Sequence, residues 1–165
     1  MTWERAGLRF EDPILGIDPS SAAIGWGLIK GDAHESGVVR FKGEKGDKLR
    51  CYRLWLKDMV RMAQPAIVAI EMPFIGQGSA AGVIYNYQGV ALDALSTYVG
   101  AVDWVASSSW KSSVLGNGGI TTREKQAGKI VEMVRLLGFH VEKIDEADAL
   151  CIALHVRKKF FSRIR

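Results

Sequence analysis

The chain is poor in cysteine and has neither a long apolar run nor a repeated segment, and each shortage removes a class of protein. Only Cys51 and Cys151 occur among the 165 residues, and they lack the paired spacing of a zinc or iron–sulfur site. Both fall in apolar helical patterns. That fits core thiols in a reducing compartment, although spacing alone leaves a single disulfide open. No window holds eighteen uncharged apolar residues, so none is a candidate membrane-spanning helix. The N-terminus has no apolar stretch resembling a secretion signal, and the expected location is cytoplasmic.

What is present describes one globular domain. At 165 residues, 48% of them apolar and 24% charged, the chain is long enough for a full core without staples. The net charge is only +4, but five of the last nine residues are basic: Arg157, Lys158, Lys159, Arg163 and Arg165. Such a tail suits a polyanion, and equally a solvated helix end.

Pro13 to Lys30 organises the rest. Apolar Ile14–Ile17 ends in one carboxylate, Asp18, a turn of small residues follows, and a second apolar run spans 24–30. With a third strand at 36–41, this predicts an antiparallel meander. His34 falls in the turn GDAHE, where it is expected to be exposed. Leu49, Tyr52, Leu56, Met59 and Ala63 recur every three or four residues and predict a helix over 47–63, stopped at Gln64-Pro65. Ala66–Ile70 reads as a buried parallel strand followed by Glu71. A helix over 80–99, rich in small residues, precedes a strand at 101–106 and a short helix from Ser107. A further helix runs to Leu137 with Thr121 and Glu124 as a capping box, and Gly138 stops it. An extended piece at 139–144 leads to the last helix, whose apolar side holds Ala149, Ile152, Ala153 and Val156. The change from meander to strand–helix–strand predicts an α/β fold with a mixed sheet and helices on its faces.

Four acids stand out. Glu71 ends an apolar strand as Asp18 does, and neighbouring strands about 4.8 Å apart would bring the two within reach of one cation. Asp145 and Asp148 are three residues apart at a helix start, which puts them on one face. Glu146 lies off that face, as a solvent-facing or capping residue. Like charges this close raise one another's pKa unless a cation neutralises them, and hard oxygen donors favour Mg²⁺ or Mn²⁺. Capping or turn roles for each acid are the plain alternative. Lys111, Arg123, Lys125 and Lys129, with the basic tail, suit a phosphate backbone better than the sugar cleft of a glycosidase. Tyr85 and Tyr87 fall mid-helix, where packing is a better use than nucleophilic attack.

ILGIDPSSAAIGWGLI, IVAIEMPF and DEADALCIAL, in this order and at these separations, resemble the RuvC family of Holliday-junction resolvases, over about residues 14–156. The resemblance implies an RNase H-like fold with a five-stranded mixed sheet, a nuclease domain over 14–159 between an extension at 1–13 and a basic tail at 160–165, and a homodimer. It implies that Asp18, Glu71, Asp145 and Asp148 hold two Mg²⁺ ions per subunit, with Mn²⁺ able to substitute. Asp145 matches a position that is Asp or His among relatives. The implied activity is resolution of four-way DNA junctions by paired nicks, leaving 5′-phosphate and 3′-hydroxyl ends. Phe74 matches an aromatic that stacks on or wedges between bases. Lys111 and one of Arg123, Lys125 and Lys129 match the family's basic residues, and Arg157, Lys158 and Lys159 are further candidates for DNA contact. The helix over 80–99 is the candidate dimer interface.

Departures suggest a divergent, phage-encoded member. Pro19-Ser20-Ser21 replaces the family's usual Pro-Gly-Ser, so a different turn geometry is expected. The Asp18–Glu71 segment is short for the family, and Pro73 stiffens the loop carrying Phe74. A broader nuclease acting on forks or flaps, or a junction-binding protein without catalysis, remains open on these residues.

Overall fold

In the computed structural model, residues 8–20, 23–72, 79–116 and 123–161 are described. Ile14–Pro19 forms the central strand, β1, because it is apolar on both faces: Ile14, Leu15 and Ile17 are all buried. β2 (Ile24–Lys30) pairs antiparallel with β1, and β3 (Ala33–Val39) pairs antiparallel with β2. β4 (Ile67–Glu71) lies parallel on the other side of β1, and β5 (Ala101–Val105) lies parallel to β4. The order β3-β2-β1-β4-β5 is a five-stranded mixed sheet.

Helices cover both faces. Leu15, Ile17, Val68 and Ile70 point to the layer of α1 (Lys45–Ala63) and α2 (Ser79–Ala94), where they meet Tyr52, Leu56, Tyr87 and Ala91. Ile14, Ile67, Ala69 and Val105 point to the layer of α3 (Ser107–Leu115), α4 (Arg123–Leu136) and α5 (Ile144–Phe161), where they meet Trp110, Ile130, Leu150 and Ile152. The alternation of faces along each strand is the period of two expected of a pleated sheet. This is the RNase H-like α/β fold that the motif order implies. Among the described residues no helix is long and apolar enough to cross a membrane.

Several boundaries differ from the sequence expectation. β3 spans 33–39 rather than 36–41, so His34 is a half-buried strand residue and not an exposed turn residue. Its ring meets Phe139 edge-on, and its Nε2 accepts a hydrogen bond from the His140 N–H at 3.2 Å. Those partners lie more than a hundred residues away, beyond any local pattern. α2 stops at Ala94 rather than Val99. There the bonding tightens as the Ser96 N–H and its hydroxyl both donate to the Asp93 carbonyl, and Tyr98 N–H turns back to Leu95. α1 ends as expected, with Gln64 in the left-handed region at φ 43° and Pro65 next. Gly138, at φ 87°, closes α4. The piece 139–143, expected to be extended, forms no strand and bends at Glu142 and Lys143, and Ile144 already belongs to α5. Cys51 and Cys151 are both free. Thr121 lies outside the described residues.

Candidate active site

Period two carries the chemistry to one end of the sheet. Along β1, Gly16 and then Asp18 face the α5 layer; along β4, Ala69 and then Glu71 do the same. The parallel register pairs Ile17 with Ile70, so the two acids occupy the next step of both strands. α5 begins above them, with Asp145 in its first turn and Asp148 one turn on.

α5 can approach because the strands beneath it are stripped of side chains. A Cβ on Gly16 would stand 2.1 Å from the Ala149 carbonyl oxygen, and one on Gly25 only 2.0 Å from that of Asp145. Gly25 is also the register partner of Asp18. One residue therefore touches the acid helix and flanks the acid strand. The alternation of Gly25 and Gly27 is visible in the sequence, but the helix it admits is 120 residues away, so the role of Gly25 is a finding of the structure.

The electrostatics follow from this crowding. Burial, a hydrogen bond with the Glu71 side chain, and the charges of Glu71, Asp148 and Asp145 hold the Asp18 carboxyl well above the usual carboxylate range. All four expected acids thus act on one point. Glu146 is the capping partner anticipated: its Oε2 accepts from the N–H of Glu142 at 3.1 Å and of Lys143 at 3.4 Å, tying down the entry to α5. The turn after Asp18 closes with serine rather than glycine. The Ser20 hydroxyl donates to the Ala23 carbonyl at 2.7 Å and accepts from the Ala23 N–H at 3.0 Å. Ser20 needs no positive φ, since Gln64 is the one described non-glycine residue that has it.

Among the described residues, no group of three or more Asp, Glu, His or Cys side chains is arranged to hold a metal ion. The structure brings together a hydrogen-bonded Asp18–Glu71 pair with the charges of two further acids acting on Asp18. As a donor set it is all carboxylate oxygen, the chemistry that suits Mg²⁺ or Mn²⁺.

The basic candidates separate into two groups. Lys111 lies in α3, its Nζ 5.1 Å from the centre of the Trp110 ring. Arg123 and Lys125 belong to the first turn of α4, and Lys129 is exposed one turn further on. The C-terminal cations lie elsewhere. Arg157 donates to the Gly31 carbonyl at 2.6 Å and stacks on Phe10, and Lys159 pairs with Asp103 of β5 at 2.8 Å. Only Lys158 of the three is exposed without such a partner. α5 runs away from the acids, so Lys158 sits about 20 Å along the helix from Asp145 at 1.5 Å per residue. Tyr87 is buried edge-on against Tyr52, as packing predicts, and Tyr85 is exposed. Phe74 lies outside the described residues.

Comparison with known proteins agrees with the fold and the motif order. The family model "Crossover junction endodeoxyribonuclease RuvC" matches residues 14–155. The RuvC of Chlorobium phaeovibrioides is 31% identical over 150 residues, covering 86% of this chain and 78% of the relative. That of Dehalococcoides mccartyi is 32% identical over 164 residues, covering 92% and 96%. Among solved structures, Thermus thermophilus RuvC in complex with a Holliday junction substrate superposes with a TM-score of 0.71, at 19% identity, over 93% of this chain and 96% of that one. The chain belongs to the RuvC family, as a divergent member.

Proposed function

We propose that this protein is a Mg²⁺-dependent endonuclease that resolves four-way DNA junctions by paired, symmetric nicks, leaving 5′-phosphate and 3′-hydroxyl ends. The observation that carries the reading is the convergence of Glu71, Asp148 and Asp145 on Asp18, in a chain of the RuvC family. Four carboxylates crowded on one point repel one another, and a protein keeps such a cluster where a divalent cation can relieve it. Asp18, Glu71, Asp145 and Asp148 would hold two Mg²⁺ ions. When bound, these would supply an activated water and a counter-charge for the leaving 3′ oxygen.

The chain's own residues prepare that site. Asp18, hydrogen-bonded to Glu71, holds its proton more tightly than an ordinary carboxyl and would give it up as cations enter, and Gly25 lets α5 set Asp145 and Asp148 above them. Lys111 and the cations at the start of α4 hold the DNA backbone, and Phe74 stacks at the opened crossover. A twofold dimer through α2 presents two such sites to a nearly twofold junction. Tyr85 and Leu92 are exposed on that helix, and nothing lies within 4 Å of where a Cβ would stand on Gly82 or Gly89. Such small positions let a second helix approach closely.

The test is cleavage of a labelled immobile four-way junction beside a fork and a linear duplex, in Mg²⁺ and in EDTA. Paired symmetric nicks confined to the junction and lost in EDTA are expected. Equal cutting of all three substrates would make it a broader structure-directed nuclease. A second reading, a junction-binding protein that does not cut, draws on the missing ready-made ligand set among the described residues. Tight junction binding without cutting in Mg²⁺ or Mn²⁺ would establish it.

A further inference from the structure

Where β3 leaves the sheet, the chain carries Arg40, Lys42, Lys45, Lys48 and Arg50, five cations against two acids, Glu44 and Asp47. Arg40, Lys42, Lys45 and Arg50 are exposed and Lys48 is half-buried. None of the five takes part in the ion pairs found among the described residues, whereas Arg53 and Arg61 further along α1 are paired with Asp93 and Asp58. Phe41, between two of these cations, is half-buried and edge-on to Trp55. That contact fixes the crossing from β3 to α1.

Register places the start of this rim at the acid end of the sheet, and Lys45, Lys48 and Arg50 continue it onto α1, on the face opposite the acids. Val39, the last residue of β3, pairs with Ile24, and Ile24 pairs with Pro19, the residue after Asp18. Arg40 therefore leaves the sheet at the level of the acid cluster, two strand spacings or about 10 Å to the side. Along a duplex arm that is about three nucleotides of axis at about 3.4 Å each. Arg157, Lys158 and Lys159, part of the run that the sequence alone makes the obvious polyanion surface, are farther away, and two of them are occupied.

We infer that the rim of Arg40, Lys42, Lys45, Lys48 and Arg50 is a phosphate-backbone track that holds one duplex arm of branched DNA at the end of the sheet that carries the acids. The inference rests on the nuclease reading above and adds the surface that reading lacks on the β3 side. Exposed cations outside the ion pairs, gathered at this end of the sheet, suit backbone contact. They carry no base readout, so the track positions DNA without selecting sequence.

The experiment is the salt dependence of binding to a four-way junction and to a linear duplex. It compares the wild-type chain, the combined variant Lys42→Gln, Lys45→Gln, Lys48→Gln, and the matching Lys→Arg variant. Neutralising the three lysines should flatten the slope of log affinity against log salt by about 2–3 and weaken binding about 10- to 100-fold near physiological salt. The Arg variant should restore both. Lys30→Gln, an exposed lysine at the far end of β2, should leave the slope unchanged. A combined Gln variant that melts like wild type but keeps the full slope would overturn the track while leaving the nuclease reading intact. A wild-type chain that binds neither DNA at low salt would overturn both.

Discussion

Asp18→Asn is expected to abolish cleavage and, in EDTA, to make the protein harder to melt. The two effects share one cause. Asp18 is held well above the usual carboxylate range, first by burial and then by the Glu71 hydrogen bond and the charges of Glu71, Asp148 and Asp145. A carboxyl whose folded pKa is raised keeps a proton that the unfolded chain has already lost. Its contribution is therefore present at low pH and declines as pH rises above the unfolded value of about 3.9 toward the folded one. At neutral pH the wild-type site is strained, and an amide that never ionises removes the strain. Single stabilising substitutions commonly yield about 0.5–2 kcal/mol, with function lost where the site is strained. A gain of that size would raise Tm by several degrees, at about 2–4 °C per kcal/mol for a chain of this size. Cleavage should fall by about 10³-fold or more, about 4 kcal/mol of transition-state stabilisation. Melting curves in EDTA across pH 4–8, beside single-turnover cleavage in Mg²⁺, measure both effects. An Asn variant that melts below wild type at neutral pH and still cuts would contradict the electrostatic account.

Gly25→Ala is the second large effect. Its Cβ would stand 2.0 Å from a backbone carbonyl oxygen, that of Asp145, which no rotamer change can relieve. Either β2 or the start of α5 must move. Overpacking of this kind costs about 1–3 kcal/mol, and a misplacement of about 1 Å at a reacting centre costs about 10²-fold in rate. Both losses are expected together. Gly27→Ala is the comparison: its nearest contacts are atoms of the Leu150 side chain at 2.8 Å, farther from the acids, so its loss of rate should be smaller. Wild-type rate and Tm in Gly25→Ala would show that β2 does not seat the acid helix.

Much of the fold is legible because its signals are local. The faces of β1 and β4 follow from alternation, so Asp18 and Glu71 fall on one side of the sheet by counting from Gly16 and Ala69. The three-residue spacing of Asp145 and Asp148 puts them together before any coordinates are known, and Glu146 is separable from them for the same reason. What is illegible depends on distant partners. The C-terminal basic run looks free in sequence, yet Arg157 is bound to Gly31 and Lys159 to Asp103. Arg40 looks like any surface cation until register sets the end of β3 level with Pro19. The end of α2 is hidden because Leu95 and Tyr98 continue an apolar pattern after the backbone has turned at Ser96.

If Asp18, Glu71, Asp145 and Asp148 form a divalent-cation site, calorimetric titration of Mn²⁺ and Mg²⁺ into the wild-type chain and Asp18→Asn will show it. Two ions per chain are expected in the wild type, with protons released as they enter and a higher Tm when they are bound, all lost or sharply weakened in the Asn variant. No binding at millimolar cation, or the same isotherm in both proteins, would contradict it.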